Sequence, residues 1–164
     1  MGCDIHICLE KKVKGIWVPV KIRNQYFDEE LTDARPITYQ VLRGSRDYEL
    51  FNIISFNDAR LERKHLNFAW EARGIIDEDI SLELQEYLTN DSDLHTHSWL
   101  TIAEMKEAID NPAIEIRSVR DVQTEVPRSA CMLTEFYEDI CKQISSLLPG
   151  TNPLDCKIVF AYDN

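Results

Sequence analysis

Basic residues are scarce in this chain. Lys and Arg number 18 against 29 Asp and Glu, for a formal net charge of −11 over 164 residues. Duplex nucleic acid is a poor partner for such a protein, because backbone binding needs clustered cations that displace counterions. A small phosphorylated ligand stays open, since two or three local arginines can hold one phosphate inside an acidic protein. Long apolar runs are missing too: none approaches the roughly 20 residues that span a bilayer, so no membrane partner is expected. The first ten residues carry Asp4, His6 and Glu10, unlike a signal peptide, and His6 stands where a myristoylation pattern wants Ser or Thr. The cysteines (Cys3, Cys8, Cys131, Cys141 and Cys156) are odd in number and lack C-x-x-C spacing. That argues against a disulfide framework or a structural zinc site, and for reduced thiols in a cytoplasmic protein. No G-x-S-x-G, Walker A, G-x-G-x-x-G or H-E-x-x-H motif occurs, which removes the common hydrolase, NTPase and dehydrogenase signatures.

What is present is a globular composition, 44% hydrophobic, enough for one domain over residues 1–164. The opening MGCDIHICLE alternates as a strand over 3–10. KKVKG reads as a turn and IWVPVKIR (16–23) as the second arm of a hairpin, with Pro19 on an edge or at a bulge. Residues 24–36 read as loop and 37–42 as a short strand. A short helix follows over 47–56, while 57–76 leaves helix or loop open. Helices are predicted over 77–90, over 101–110 from the Thr101/Glu104 capping box, and over 128–148 from one apolar stripe. Residues 113–120 alternate like a strand, and 156–162 read as a buried one. The expected class is α+β, a small mixed or antiparallel sheet including both terminal strands, packed by three or four helices.

Five groups of residues could carry chemistry. Asp4 and His6 leave one face of the first strand about 7 Å apart, a spacing that suits an oriented imidazole or two metal ligands. A hydrogen-bonded, half-solvated strand face explains the same spacing. DLHTHSWLT (93–101) places His95, His97, Ser98 and Trp99 just before a helix N-terminus, where an anion could bind. Asp163 ends an apolar strand. Arg43, Arg46 and Arg73 stand near Gly44 and Gly74, and arginine forks suit phosphate. Cys8 shares a row with His6 and so is a candidate nucleophile, though a buried inert thiol is the plainer reading.

The segments MGCDIHICLE with Trp17, RDYELF (46–51), RGIIDED (73–79), DLHTHSWL (93–100) and VFAYDN (159–164) resemble a family of small phage, prophage and bacterial proteins that begin MGCDIH and end in V-F-x-aromatic-D-N. The resemblance covers Asp4, His6, Glu10, Arg46, Tyr48, Arg73, Gly74, Asp93, His95, Ser98, Trp99 and Asp163. It departs at Asp47, at the missing Pro after Arg73-Gly74, and at Ala161. It implies a phage-type protein of the host cytoplasm and supplies no reaction. The residues it marks are polar, which suggests convergence on one pocket. His6 and His95 would be the acid–base pair, with Asp4 or Asp163 orienting them or sharing a metal. Arg46, Tyr48, Arg73, Ser98 and Trp99 would hold a nucleotide-like phosphorylated ligand. Asp4, His6, His95 and Asp163 are the candidates for a divalent metal ion. The expected activity is that of a phosphodiesterase-type hydrolase acting on a host immune signal. The alternatives are a non-catalytic sponge for such a signal and a protein–protein inhibitor or structural module. A homo-oligomer is left open.

Overall fold

The structure, a computed structural model, describes residues 3–25, 27–30, 35–57, 67–76, 78–111, 117–118 and 126–163. Strand β1 (Ile5–Val13) follows from the opening alternation: Ile5, Ile7 and Leu9 turn into the core on one face. Lys14 and Gly15, at φ 51° and 82°, make the two-residue turn into β2 (Ile16–Pro19). Positive φ at both central residues matches the twist of a hairpin. Among the described residues strand β2 pairs only with β1, so Pro19 sits on an edge where its missing N–H breaks no ladder. The strand expected over 16–23 is broken. Val20 still donates to the Leu9 carbonyl at 2.7 Å, but β3 (Ile22–Arg23) pairs with β4 (Ile37–Thr38) in a separate small ladder.

Strand β5 (Gln40–Arg43) lies beside the first half of β1, on the same side that β2 takes along the second half. After α1 (Tyr48–Ile54), β6 (Asn67–Phe68) and α2 (Leu82–Thr89) comes β7 (His95–Thr101). Helix α3 (Ile102–Asp110), β8 (Arg117–Ser118), α4 (Val126–Leu147) and β9 (Cys156–Tyr162) complete the chain order. Strand β9 pairs antiparallel with β1 on one side, Ile5 opposite Tyr162 through Lys11 opposite Cys156, and with β7 on the other. The two terminal strands are therefore neighbours at the centre of an antiparallel sheet, and the class is α+β. Among the described residues no helix is long and apolar enough to cross a membrane.

Every residue of β9 is buried, because helices cover both faces of the sheet. On one face, Ile5, Ile7, Leu9, Ile158, Phe160 and Tyr162 meet α1, α3 and α4 through residues such as Phe51, Met105, Leu133, Ile140 and Ile144. Each of these large side chains contributes on the order of 1.5–3 kcal/mol by leaving water. On the other face, Cys8 and Val159 pack against Leu84 and Leu88 of α2. The starts of α1 and α3 are fixed by side-chain caps. Asp47 caps α1 by accepting from the Glu49 and Leu50 amides, and Thr101 and Glu104 form the predicted capping box of α3. Helix α2 begins at Leu82, five residues later than the sequence suggests, with Ser81 as its N-cap. The strand expected over 113–120 is described only at 117–118, and most of 57–66 lies outside the described residues.

Gly44 links β5 to α1 by close approach. A Cβ there would fall 2.0 Å from Ile5 Cγ2 and 3.2 Å from Ile7 Cδ1. Ile5 is buried and branched at Cβ, so Cγ2 cannot swing away without moving the strand. Gly44→Ala should destabilise the fold by about 1–3 kcal/mol, the usual range for overpacking. Urea unfolding checks this, and a change below about 0.5 kcal/mol would show that the link yields freely.

Candidate functional site

His6 points away from the Ile5/Ile7 core face, at the mouth of the sheet. Its Nε2 lies 2.8 Å from Asp163 Oδ2 and its Nδ1 lies 2.9 Å from Gln40 Oε1. Asp163 follows the last residue of β9, and its second oxygen accepts the Asp4 N–H at 2.7 Å. The Asp163 N–H donates in turn to the Asp4 carbonyl at 3.1 Å. Gln40 reaches His6 because of a bulge in β5. Arg43 stands opposite His6 and Leu42 opposite Ile7, but Cys8 is opposite Gln40, so Val41 is skipped. Uninterrupted alternation would have put Gln40 on the Leu42 side; the extra residue turns it onto the face of His6.

Asp4 is held from outside by Arg46, whose Nε and Nη2 donate to its two oxygens at 2.6 and 2.7 Å. That fork keeps the Asp4 carboxyl below the ordinary carboxylate range. The hydrogen bond with His6, and then the Asp4 amide, hold Asp163 low as well. With a proton on Nε2 facing Asp163, the chemistry of the ring is left to Nδ1. Gln40 can offer its oxygen to a protonated ring or, with the amide turned, its NH₂ to a neutral one.

This group forms one wall of an open cleft of about 700 Å³. Asp4, His6, Gln40 and Asp163 line it together with Arg23 and Arg43. Among the described residues neither Arg23 nor Arg43 has an ion-pair partner. A second cleft, of about 430 Å³, shares His6 and Gln40 with the first and continues to Arg35, Tyr87, Asn90 and Asp91. No family model, no curated protein and no solved structure matches the chain. The resemblance to the phage proteins therefore rests on its short motifs alone.

The residues marked by those motifs do not all meet. Asp4, His6, Asp163 and Arg46 come together, but His95 does not join them. Directly opposed residues of an antiparallel pair share a face. His6 is opposite Ala161, whereas His95 is opposite Tyr162, the next residue along β9 and therefore on the other face. The His95 ring lies 6.2 Å from the Tyr162 ring, with its Nδ1 3.0 Å from Thr96 Oγ1. The expected His6–His95 acid–base pair is thus split by the sheet. The segment before α3 is also β7, a paired strand, rather than a free loop at a helix start.

Arg73, Ser98 and Trp99 form a separate group that lines neither cleft. Arg73 forks onto Glu104 at 2.8 and 3.2 Å, stacks 4.4 Å above Trp99, and donates its backbone N–H to Ser98 Oγ. Burial raises the Glu104 carboxyl, but hydrogen bonds from Arg73 and Thr101 outweigh it and leave the group low. Tyr48 spends its hydroxyl accepting from the Cys3 amide at 2.8 Å and packs edge-on against Phe51, so it braces the start of β1. Cys8 is fully buried. Burial and then Glu10 push its thiol far above the range in which thiolate forms, which removes it as a nucleophile. Among the described residues no three His, Cys, Asp or Glu side chains converge as a metal site. Asp4 gives both oxygens to Arg46, and both ring nitrogens of His6 already have partners.

Gln40, Tyr87, Arg23 and Arg35 line the clefts without any motif to announce them. The signal for Gln40 is a bulge, and nothing in ITYQVL encodes one visibly. Arg43 was legible as an arginine beside a turn glycine.

Proposed function

We propose that this protein binds a small phosphorylated, nucleotide-like ligand in the cleft beside His6, with Arg43 and Arg23 as its phosphate contacts. One observation carries the reading: the cleft's acids are already engaged by hydrogen bonds with neighbours, whereas among the described residues its two arginines have no ion-pair partner. Arg46 forks onto Asp4 and the His6 ring is hydrogen-bonded to Asp163, so both carboxylates are turned to their own partners and an anion entering the cleft meets Arg23 and Arg43. Guanidinium forks favour phosphate by two parallel charge-assisted bonds. In its protonated form His6 can add a third donor through Nδ1 if Gln40 gives way.

The split of His6 from His95 favours a binder over a hydrolase. Proton transfer in this cleft would rest on His6 alone, with Asp163 as its orienting group. A sponge for a nucleotide signal of host immunity is the setting that the phage resemblance suggests. Calorimetry against a panel of cyclic and linear nucleotides tests the proposal. The expected result is salt-sensitive binding, ligand recovered intact after heat denaturation, and roughly 10- to 100-fold weaker binding in Arg43→Ala, the usual worth of a charged hydrogen bond. Binding unchanged in that variant, or no binding of any phosphorylated ligand, overturns it. Turnover abolished by His6→Ala would move the assignment to the hydrolase.

A further inference from the structure

Tyr87 lines the smaller cleft and, among the described residues, is its one Phe, Tyr or Trp side chain. Its ring is braced by Tyr39 at a centroid distance of 5.1 Å, and its hydroxyl lies 3.4 Å from Thr38 Oγ1. Leu94, partly buried, adds apolar surface to the same cleft. Above the ring stands the Arg35 guanidinium, 5.9 Å from the centroid, on an exposed side chain. We propose that this cleft is a base subsite, so that the ligand class is a nucleoside phosphate with its base stacked on Tyr87 beneath Arg35. The inference rests on the phosphate reading of the larger cleft.

Three features support it. The clefts share His6 and Gln40, so one ligand can run from Arg43 past His6 to Tyr87. A planar base between the ring and the guanidinium needs about 7 Å, two contacts of about 3.5 Å each. Arg35 has only to lift by about 1 Å, and an exposed side chain does this at little cost. Bases stack on aromatic and guanidinium planes alike. At the rim, Asn90 brings an amide, Ser92 a hydroxyl, and Asp91 a carboxylate with one oxygen committed to the Asp93 amide. Such a mixed set of donors and acceptors suits the edge of a base, which a sugar phosphate lacks.

The test compares ribose 5-phosphate with nucleoside 5′-monophosphates by calorimetry at fixed salt. Wild-type protein should bind at least one monophosphate about tenfold or more tightly than ribose 5-phosphate. Tyr87→Ala should erase that preference and leave ribose 5-phosphate binding unchanged, whereas Tyr87→Phe keeps it. Arg35→Ala, a surface change that leaves the core intact, should lower nucleotide affinity several-fold and spare ribose 5-phosphate. Arg43→Ala should weaken both ligands together. Equal affinity of wild-type protein for the two ligands, or an Arg35→Ala variant that binds nucleotides as well as wild type, overturns the base subsite while the phosphate site stands. Failure of wild-type protein to bind either ligand overturns both.

Discussion

Lys157→Met is expected to cost the fold about 3–5 kcal/mol, the penalty for stranding one charge of a buried pair. Lys157 lies near the start of β9 and is fully buried, as is its cross-strand neighbour Glu10. The ammonium is 2.8 Å from Glu10 Oε2, donates also to the Asp79 carbonyl, and lies 4.5 and 5.2 Å from the Trp17 and Trp99 rings. Glu10 Oε1 accepts the Ser81 N–H at 2.9 Å, so the pair ties β1 and β9 to the start of α2. Methionine keeps the apolar stem between the two indoles and removes only the charge. Glu10 Oε2 then faces a dry site with no other hydrogen-bond donor among the described residues. Glu10→Gln should be costly for the mirror reason, while retaining the acceptor for Ser81. The double variant Glu10→Gln/Lys157→Met should recover to within about 1–2 kcal/mol of the parent, since replacing a whole buried pair is often near neutral. Urea unfolding of the four proteins gives the coupling directly. A loss below about 1 kcal/mol in both single variants would mean that water reaches the pair.

The opening row shows why some of this was readable and some was not. Alternation in MGCDIHICLE places Asp4, His6, Cys8 and Glu10 on one face, and the strand has that face. What each residue does there depends on depth. His6 is at the mouth, Cys8 under α2, and Glu10 opposite a lysine hidden within the apolar run CKIVFAY. Capping residues made α3 legible to the residue, because a cap is a local interaction. Strand β7 was missed because its alternation is broken. Its register with β9 shifts between His95 and Ser98, and Thr96 takes φ 51°, a conformation rare for a β-branched residue. Strand order is non-local, so spacing alone could not reveal that β9 separates β1 from β7 and puts His95 on the far face. The same reason hides Tyr87, which enters the site only through the docking of α2.

Loss of Asp163 should weaken ligand binding strongly while sparing the fold. Its carboxylate fixes His6 through one oxygen and the Asp4 N–H through the other, yet it remains partly exposed. Exposed pairs of this kind contribute about 0–1 kcal/mol to stability, so Asp163→Ala should unfold close to the parent at neutral pH. Ligand affinity should fall on the order of 10- to 100-fold, because the imidazole loses the partner that orients it. Asp163→Asn separates charge from geometry. Its oxygen can still accept the Asp4 N–H, but its NH₂ then faces Nε2, which forces the proton onto Nδ1. Acid titration supplies an independent check. Asp4 and Asp163 are both held below the ordinary carboxylate range, so the stability they lend is present above the unfolded value of about 4 and is lost as pH falls through their folded values. Asp163→Ala should therefore show a shallower loss of stability between neutral pH and about pH 3 than the parent. Urea midpoints at several pH values measure this, alongside calorimetry of the same samples at neutral pH. An Asp163→Asn protein that binds nucleotides as the parent does would detach the His6–Asp163 pair from the function of the cleft and leave binding to its arginines alone.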